Sequence, residues 1–259
     1  MENRKDKLRL YIIEQWEKSL PEVKERDIKL EVENDLINDI IGPRRSGKTY
    51  LIHFTIKKLL EKVDRKAIIY INFESRKLFP LNIQYFNDMI EIIHEEDLLN
   101  KFKKIYLFLD EIQKIDGWEN YLRSIYDEFK GKIKIFISGS TSKLTKKKTS
   151  SLITGRHLTT LVFPLSFKEF LKFRKFEYKS FSEEKKSKIN KFLREYLILG
   201  GFPEAVLTNN EEIIETLFLD IVNRDIMPNI IHKELIEETA YFLCSNTAKL
   251  ISFSKLSNL

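Results

Sequence analysis

Eight consecutive residues, Gly42-Pro43-Arg44-Arg45-Ser46-Gly47-Lys48-Thr49, constrain this chain more than any others. They satisfy the pattern G-x-x-x-x-G-K-[ST] in full, behind the apolar run Leu36 to Ile41 and ahead of Leu51 to Val63, which has helical spacing. A strand, such a loop and a helix together make an anion site. The glycines let the backbone wrap a phosphate so that its N–H groups and the positive end of the helix face the negative charge. In that setting Lys48 reaches the β- and γ-phosphates and the Thr49 hydroxyl ligates Mg2+. Gly42, Pro43, Arg44, Arg45, Ser46, Gly47, Lys48, Thr49 and the following Tyr50 are the candidate nucleotide-binding residues. Only eight glycines occur in 259 residues, so most of them are expected where backbone geometry requires them.

A second feature is Ile105-Tyr106-Leu107-Phe108-Leu109-Asp110-Glu111, an apolar strand whose C-terminal end delivers two adjacent carboxylates. Parallel α/β sheets place their chemistry at that edge. Asp110 is the candidate second ligand for Mg2+, through water. Glu111 is the candidate base that orients and deprotonates the water attacking the γ-phosphate. A carboxylate placed to activate water favours hydrolysis over transfer to a small-molecule acceptor, which leaves kinase chemistry as the weaker reading.

Further apolar runs at Ala67 to Phe73, Ile133 to Ile137 and Leu158 to Phe163 alternate with longer helical segments such as Ile83 to Leu99. This alternation predicts an α/β fold, a parallel sheet with helices on both faces. Ahead of it, Leu8 to Leu20 reads as an amphipathic helix, and Ile28, Leu30 and Val32 alternate with charged residues as in a half-buried strand. From Ser166 the strand-like runs stop. Phe167 to Phe173, Lys185 to Leu199 and Glu211 to Asn223 read as helices, and Thr239 to Leu250 as another. The expected organisation is an ATPase domain with an N-terminal helix over 1–165, a helical lid over 166–235, and the start of a further module over 236–259.

Charge and composition exclude more than they select. Lys and Arg number 45 against 39 Asp and Glu, a net charge of +6 that permits contact with nucleic acid without arguing for it. A single cysteine, Cys244, excludes an intrachain disulfide framework and a Cys-based zinc site. The histidines 53, 94, 157 and 232 have no metal-ligand spacing. No apolar run approaches the roughly 18 residues of a membrane span, and the charged N-terminus lacks the pattern of a secretory signal, so a cytoplasmic location without a membrane partner is expected.

With the phosphate loop, Leu109-Asp110-Glu111-Ile112-Gln113 and Ile137-Ser138-Gly139-Ser140-Thr141 in one chain, the sequence resembles the AAA+/STAND P-loop ATPases, and among them the archaeal-type ATPase family. The resemblance implies that the strand holding Ile135 to Ser138 lies between the phosphate loop and the acidic strand, and that its polar end senses the γ-phosphate. Ser140 matches that sensor, with Ser138 as second choice and a helix-capping turn as the alternative. Asn72 resembles a switch residue that restrains the catalytic Glu; a polar strand end without that role is equally open. Arg156 matches a finger that stabilises transition-state charge, from its own or a neighbouring subunit, or else makes a structural salt bridge. Pro203, in Leu199-Gly200-Gly201-Phe202-Pro203-Glu204-Ala205, resembles the lid Pro that packs on the nucleotide, a loop between two helices being the alternative. Many relatives carry a Gly-Arg-Glu motif ahead of the loop; here only Arg26 lies in that region.

The resemblance implies ATP or ADP with Mg2+ as cofactors, hydrolysis coupled to conformational change, and a winged-helix start over 236–259. Two partners stay open. One is DNA, in repair or recombination, where Lys143, Lys146, Lys147 and Lys148 would meet phosphates unless they form a solvated loop. The other is a protein partner of a slow-turnover nucleotide switch. A homo-oligomer is compatible with either.

Overall fold

A computed structural model describes residues 3–140, 155–177, 183–223, 234–247, 249–252 and 254. The chain divides into two compact units, Met1–Glu177 and Tyr178–Leu259. In the first, β1 (Ile37–Gly42), β2 (Ile68–Asn72), β3 (Ile105–Asp110), β4 (Ile133–Ser140) and β5 (His157–Leu161) form one parallel sheet in the order β2-β3-β4-β1-β5. The α/β architecture expected from the alternation of runs is therefore the one observed. Strand β4 lies between β1 and β3, and the registers Gly42 with Ser140 and Asn72 with Asp110 bring these strand ends to one edge.

Around the sheet lie α1 (Arg4–Glu17), α2 (Lys48–Leu59), α3 (Tyr85–Glu95), α4 (Leu98–Lys101), α5 (Trp118–Glu128) and α6 (Phe167–Phe173). One core joins buried side chains of α1, α3 and α5 to one face of the sheet, through Leu8, Met89 and Leu122 among others. A second packs α2, through Leu51, Ile52 and Ile56, on Ile40, Phe108 and Phe136. Burying each such side chain stabilises the fold by about 1.5–3 kcal/mol, so a helix whose apolar positions recur every three or four residues docks by that face. Helix α1 is also tied to α3 by ion pairs from Arg4 to Asp88 and from Lys5 to Glu91 and Glu95.

The alternation of Ile28, Leu30 and Val32 is real but is not a strand. Both sides of β1 are taken, by β4 and β5, so this segment runs as extended coil and packs Leu30 into the α2 core. The single helix expected over Ile83 to Leu99 is two, α3 and α4, broken at Asp97 with its φ of 54°. At the outer strand β2, Trp16 Nε1 donates to the Ile68 carbonyl at 2.7 Å and the Tyr11 hydroxyl accepts the Asn72 N–H at 3.2 Å. These side chains occupy backbone groups that would otherwise invite a further strand.

The second unit contains α7 (Glu183–Leu199), α8 (Pro203–Thr208), α9 (Glu212–Ile221) and α10 (Glu234–Ser245). Helix α6, which reads from the sequence as part of the later helices, is contained in the first unit. The Phe218 and Tyr241 rings, 5.1 Å apart, join α9 to α10. Of the expected module over 236–259, residues 248, 253 and 255–259 lie outside the described residues. Among those described, no helix is long and apolar enough to cross a membrane.

Candidate nucleotide site

The loop between β1 and α2 has the geometry that its glycines make possible. A Cβ at Gly42 would fall 2.2 Å from the Val162 carbonyl oxygen and 2.9 Å from Ser46 Oγ, a space that admits only hydrogen. Gly47 enters α2 with φ of 98°, in the left-handed region that glycine occupies without strain. Lys48 is 4% exposed, and its Nζ donates to the carbonyls of Gly42 at 3.0 Å and Pro43 at 2.9 Å, which holds the ammonium inside the loop. Ser46 is buried, Arg44 half-buried, and Arg45 and Tyr50 exposed.

The acidic strand meets this loop at Asp110, which is fully buried. Its Oδ2 accepts hydrogen bonds from Thr49 Oγ1 at 2.8 Å and from the Tyr70 hydroxyl at 3.0 Å, and its Oδ1 accepts one from Ser138 Oγ. Three hydroxyls thus orient one carboxylate. Glu111 turns the chain with φ of 56°, donates its N–H to Ser138 Oγ at 3.2 Å, and accepts at Oε2 from Gln113 Nε2 at 2.5 Å. Burial and the neighbouring Asp110 charge push the Glu111 carboxyl above its ordinary range, against the pull of Lys48. That direction moves it toward what a base working near neutrality needs. Burial and Asp110 likewise raise the Tyr70 phenol, so it stays a donor. The His53 ring lies 4.9 Å from Tyr70, and burial lowers its pKa.

Residues 34–171, more than half of the 259, match the family described as AAA domain. The chain belongs to that family. Two relatives described as uncharacterized proteins are similar to this AAA protein: one of Methanocaldococcus jannaschii, 34% identical over 90% of this chain and 52% of the relative, and one of Haemophilus influenzae, 30% identical over 87% and 55%. The chain spans about half the length of the curated relatives it matches. AMPPCP-bound DnaA from Aquifex aeolicus aligns at 14% identity over 88% of this chain and 80% of DnaA, with a TM-score of 0.34.

In this AAA domain the remaining sequence candidates fall in different places. Ser140 ends β4 opposite Gly42, and its side chain lies outside the described residues, as do Lys143, Lys146, Lys147 and Lys148. Ser138 is fully buried and bonded to both acidic residues. The Asn72 side chain accepts from the Glu74 N–H at 2.8 Å, closing a local turn; the partner found on the Glu111 carboxylate is Gln113. Arg156 precedes β5, whose first residue is in register with Ile37, so it lies one residue further back, about 20 Å from Gly42 along β1 at 3.3 Å per residue. Its Nε donates to Asp127 at 3.0 Å, and the structure does not bring it to the loop within one chain. Pro203 opens α8 in the second unit, at a position where its fixed φ suits a helix start.

Three contributors have no motif of their own in the sequence. Tyr70 is one of several aromatic residues in strands, Gln113 is a polar residue two beyond Glu111, and Arg26 pairs with Glu169 across 143 residues. Gln113 carried a signal by its spacing and Arg26 by its place ahead of the loop; nothing in the sequence marks Tyr70. Beside the loop, a cavity of about 760 Å3 opens between α1, α2 and β2, lined by Trp16, Thr49, His53, Tyr70 and Asn72 among others. No residue from Gly42 to Lys48 lines it, so it adjoins the phosphate loop without containing it.

Proposed function

We propose that this AAA domain binds ATP with Mg2+ and hydrolyses it, coupling hydrolysis to a conformational change in the helices that follow. The observation that carries the reading is the meeting of Thr49 with Asp110 at 2.8 Å, next to Lys48 and Glu111. Thr49 and Asp110 offer hard oxygen donors, the chemistry that suits Mg2+, and these two residues would hold it. When bound, the ion neutralises charge on the β- and γ-phosphate oxygens. Lys48 and the loop N–H groups bind the same phosphates. Glu111 takes a proton from water as the water oxygen bonds to the γ-phosphorus and the bond to the ADP oxygen breaks. Asp110, held by Thr49, Tyr70 and Ser138, stays oriented throughout.

Within the AAA proteins, the archaeal-type ATPase branch of the AAA+/STAND group is the finer assignment, supported by Ser138-Gly139-Ser140, Gly155-Arg156 and Gly201-Phe202-Pro203. On that assignment 166–235 is the lid, Pro203 packs on nucleotide from it, 236–259 begins a winged helix, Ser140 senses the γ-phosphate, and Arg156 serves the site of a neighbouring copy. The bond from Gln113 to Glu111 favours the slow-turnover switch with a protein partner over a DNA motor. Phosphate release with ATP and Mg2+, measured with and without single-stranded, double-stranded and branched DNA, tests this. Slow release indifferent to DNA supports the switch, and a severalfold rise with DNA supports the motor.

A further inference from the structure

Arg26 stands outside every motif of the site, yet it is 7% exposed and uses its guanidinium on three segments at once. Its Nη1 donates to the Ser46 carbonyl at 3.0 Å, its Nη2 to the Phe163 carbonyl at 2.9 Å, and Nε and Nη2 to Glu169 Oε1 and Oε2 at 2.7 and 3.2 Å. We propose that Arg26 and Glu169 are a positioning pair that aims the phosphate loop's backbone at its anion and couples loop occupancy to the start of α6. The proposal rests on the nucleotide reading of the loop.

Peptide geometry gives the first half of the argument. In a planar trans peptide the carbonyl of one residue and the N–H of the next point in opposite directions. Arg26 holds the Ser46 carbonyl on its own side, so the Gly47 N–H is turned the other way. Gly47 opens α2, and its N–H belongs to the group that an anion at a helix N-terminus needs. The second arm of the fork grips Phe163, next to Val162, whose carbonyl already limits Gly42 to a hydrogen. One side chain therefore braces both ends of the loop.

Glu169 gives the second half. Besides Arg26 it accepts from the Asp27 N–H at 3.0 Å, the Ser166 N–H at 3.0 Å and the Ser166 hydroxyl at 3.2 Å, and Ser166 Oγ accepts the Glu169 N–H in return. This reciprocal arrangement is the capping box of α6. Burial alone would raise the Glu169 carboxyl; the bonds from Arg26, Ser166 and Asp27 prevail and hold it below the ordinary range. The same carboxylate thus starts α6 and anchors the arginine that sets the loop. A planar fork with fixed donors is what this needs, and a lysine cannot reproduce it. Because coupling between two sites is reciprocal, nucleotide in the loop must then stabilise the α6 start.

A buried ion pair exchanged for two apolar side chains of similar size often leaves a protein as stable as before, which separates a positioning role from a structural one. The full chain is titrated with fluorescent ADP and Mg2+ as wild type, Lys48→Ala, Arg26→Lys and the double variant Arg26→Met/Glu169→Leu. Amide exchange over residues 166–173 is followed with and without ADP. The expected result is a double variant that melts cooperatively, binds ADP about tenfold or more weakly, and shows no ADP-dependent slowing of exchange at 166–173, where the wild type does. Arg26→Lys should lose a smaller share of both. A folded double variant with wild-type affinity and wild-type slowing overturns the proposal; if that variant does not fold, unchanged affinity and slowing in Arg26→Lys overturn it equally. Wild type that binds no better than Lys48→Ala removes the nucleotide reading itself, a result distinct from either.

Discussion

Thr49 Oγ1 donates a hydrogen bond to Asp110 Oδ2 at 2.8 Å, across 61 residues of sequence. The contact exists because β1 and β3 flank β4 in a parallel sheet, so that the loop after β1 and the acids at the end of β3 share one edge. Each of these residues is already held by the fold: Thr49 by the first turn of α2, Asp110 by the hydroxyls of Tyr70 and Ser138. Strand order, not the local sequence of either segment, brings the two groups proposed to hold the metal together.

Gln113 restrains Glu111, and releasing it should speed turnover. In Gln113→Ala the carboxylate loses its 2.5 Å partner and is free to take up a water, so kcat should rise by about two- to tenfold while ADP affinity stays within about twofold. Steady-state phosphate release beside an ADP titration checks this. A kcat that falls would instead make Gln113 an aid to the base.

Tyr70 acts through Asp110. Tyr70→Phe keeps the ring against His53 but deletes the donor to Oδ2, and the loss of such supporting bonds commonly weakens metal affinity 10- to 100-fold. The Mg2+ concentration for half-maximal turnover should therefore rise by about tenfold, with maximal turnover at saturating Mg2+ much less affected. A metal titration of both proteins decides it.

The phosphate loop and acid pair were legible because their chemistry depends on contiguous residues: spacing alone marks Gly42 to Thr49, and a polar end on an apolar run marks Asp110 and Glu111. The strands were legible for a similar reason, since buried parallel strands read as short apolar runs. What spacing cannot carry is pairing over distance. Nothing near Arg26 announces Glu169, and nothing in β2 says that Tyr70 rather than Asn72 reaches an acid. The placement of Arg156 was open to topology: a residue that precedes a parallel strand sits at the edge opposite the chemistry. The run at Ile28 to Val32 misled because period-two alternation also suits extended coil packed on one side.

Asp39, within β1, gives a stability signature in pH. Burial pushes its carboxyl up to about 6, and the partial charge relief from His157 at 3.7 Å and Thr159 at 3.4 Å does not cancel it. A raised carboxyl pKa means that the folded state holds more protons than the unfolded between about pH 4 and 6, so stability falls as pH rises through that window and stays lower above it. Asp39→Asn removes the penalty. It should melt at a higher temperature than wild type at pH 7.5, by up to about 3 kcal/mol of stability, and show little advantage at pH 4. Equal melting shifts at both pH values would contradict the burial argument.

The central claim, that Lys48 and Glu111 divide phosphate binding from water activation, is tested most directly by measuring nucleotide affinity and phosphate release on the same preparations of wild type, Lys48→Ala and Glu111→Gln. The account predicts that Glu111→Gln binds ATP within about threefold of wild type and releases phosphate about 10²–10⁴-fold more slowly, while Lys48→Ala loses binding itself. Phosphate release by Glu111→Gln at the wild-type rate, with binding intact, would contradict it.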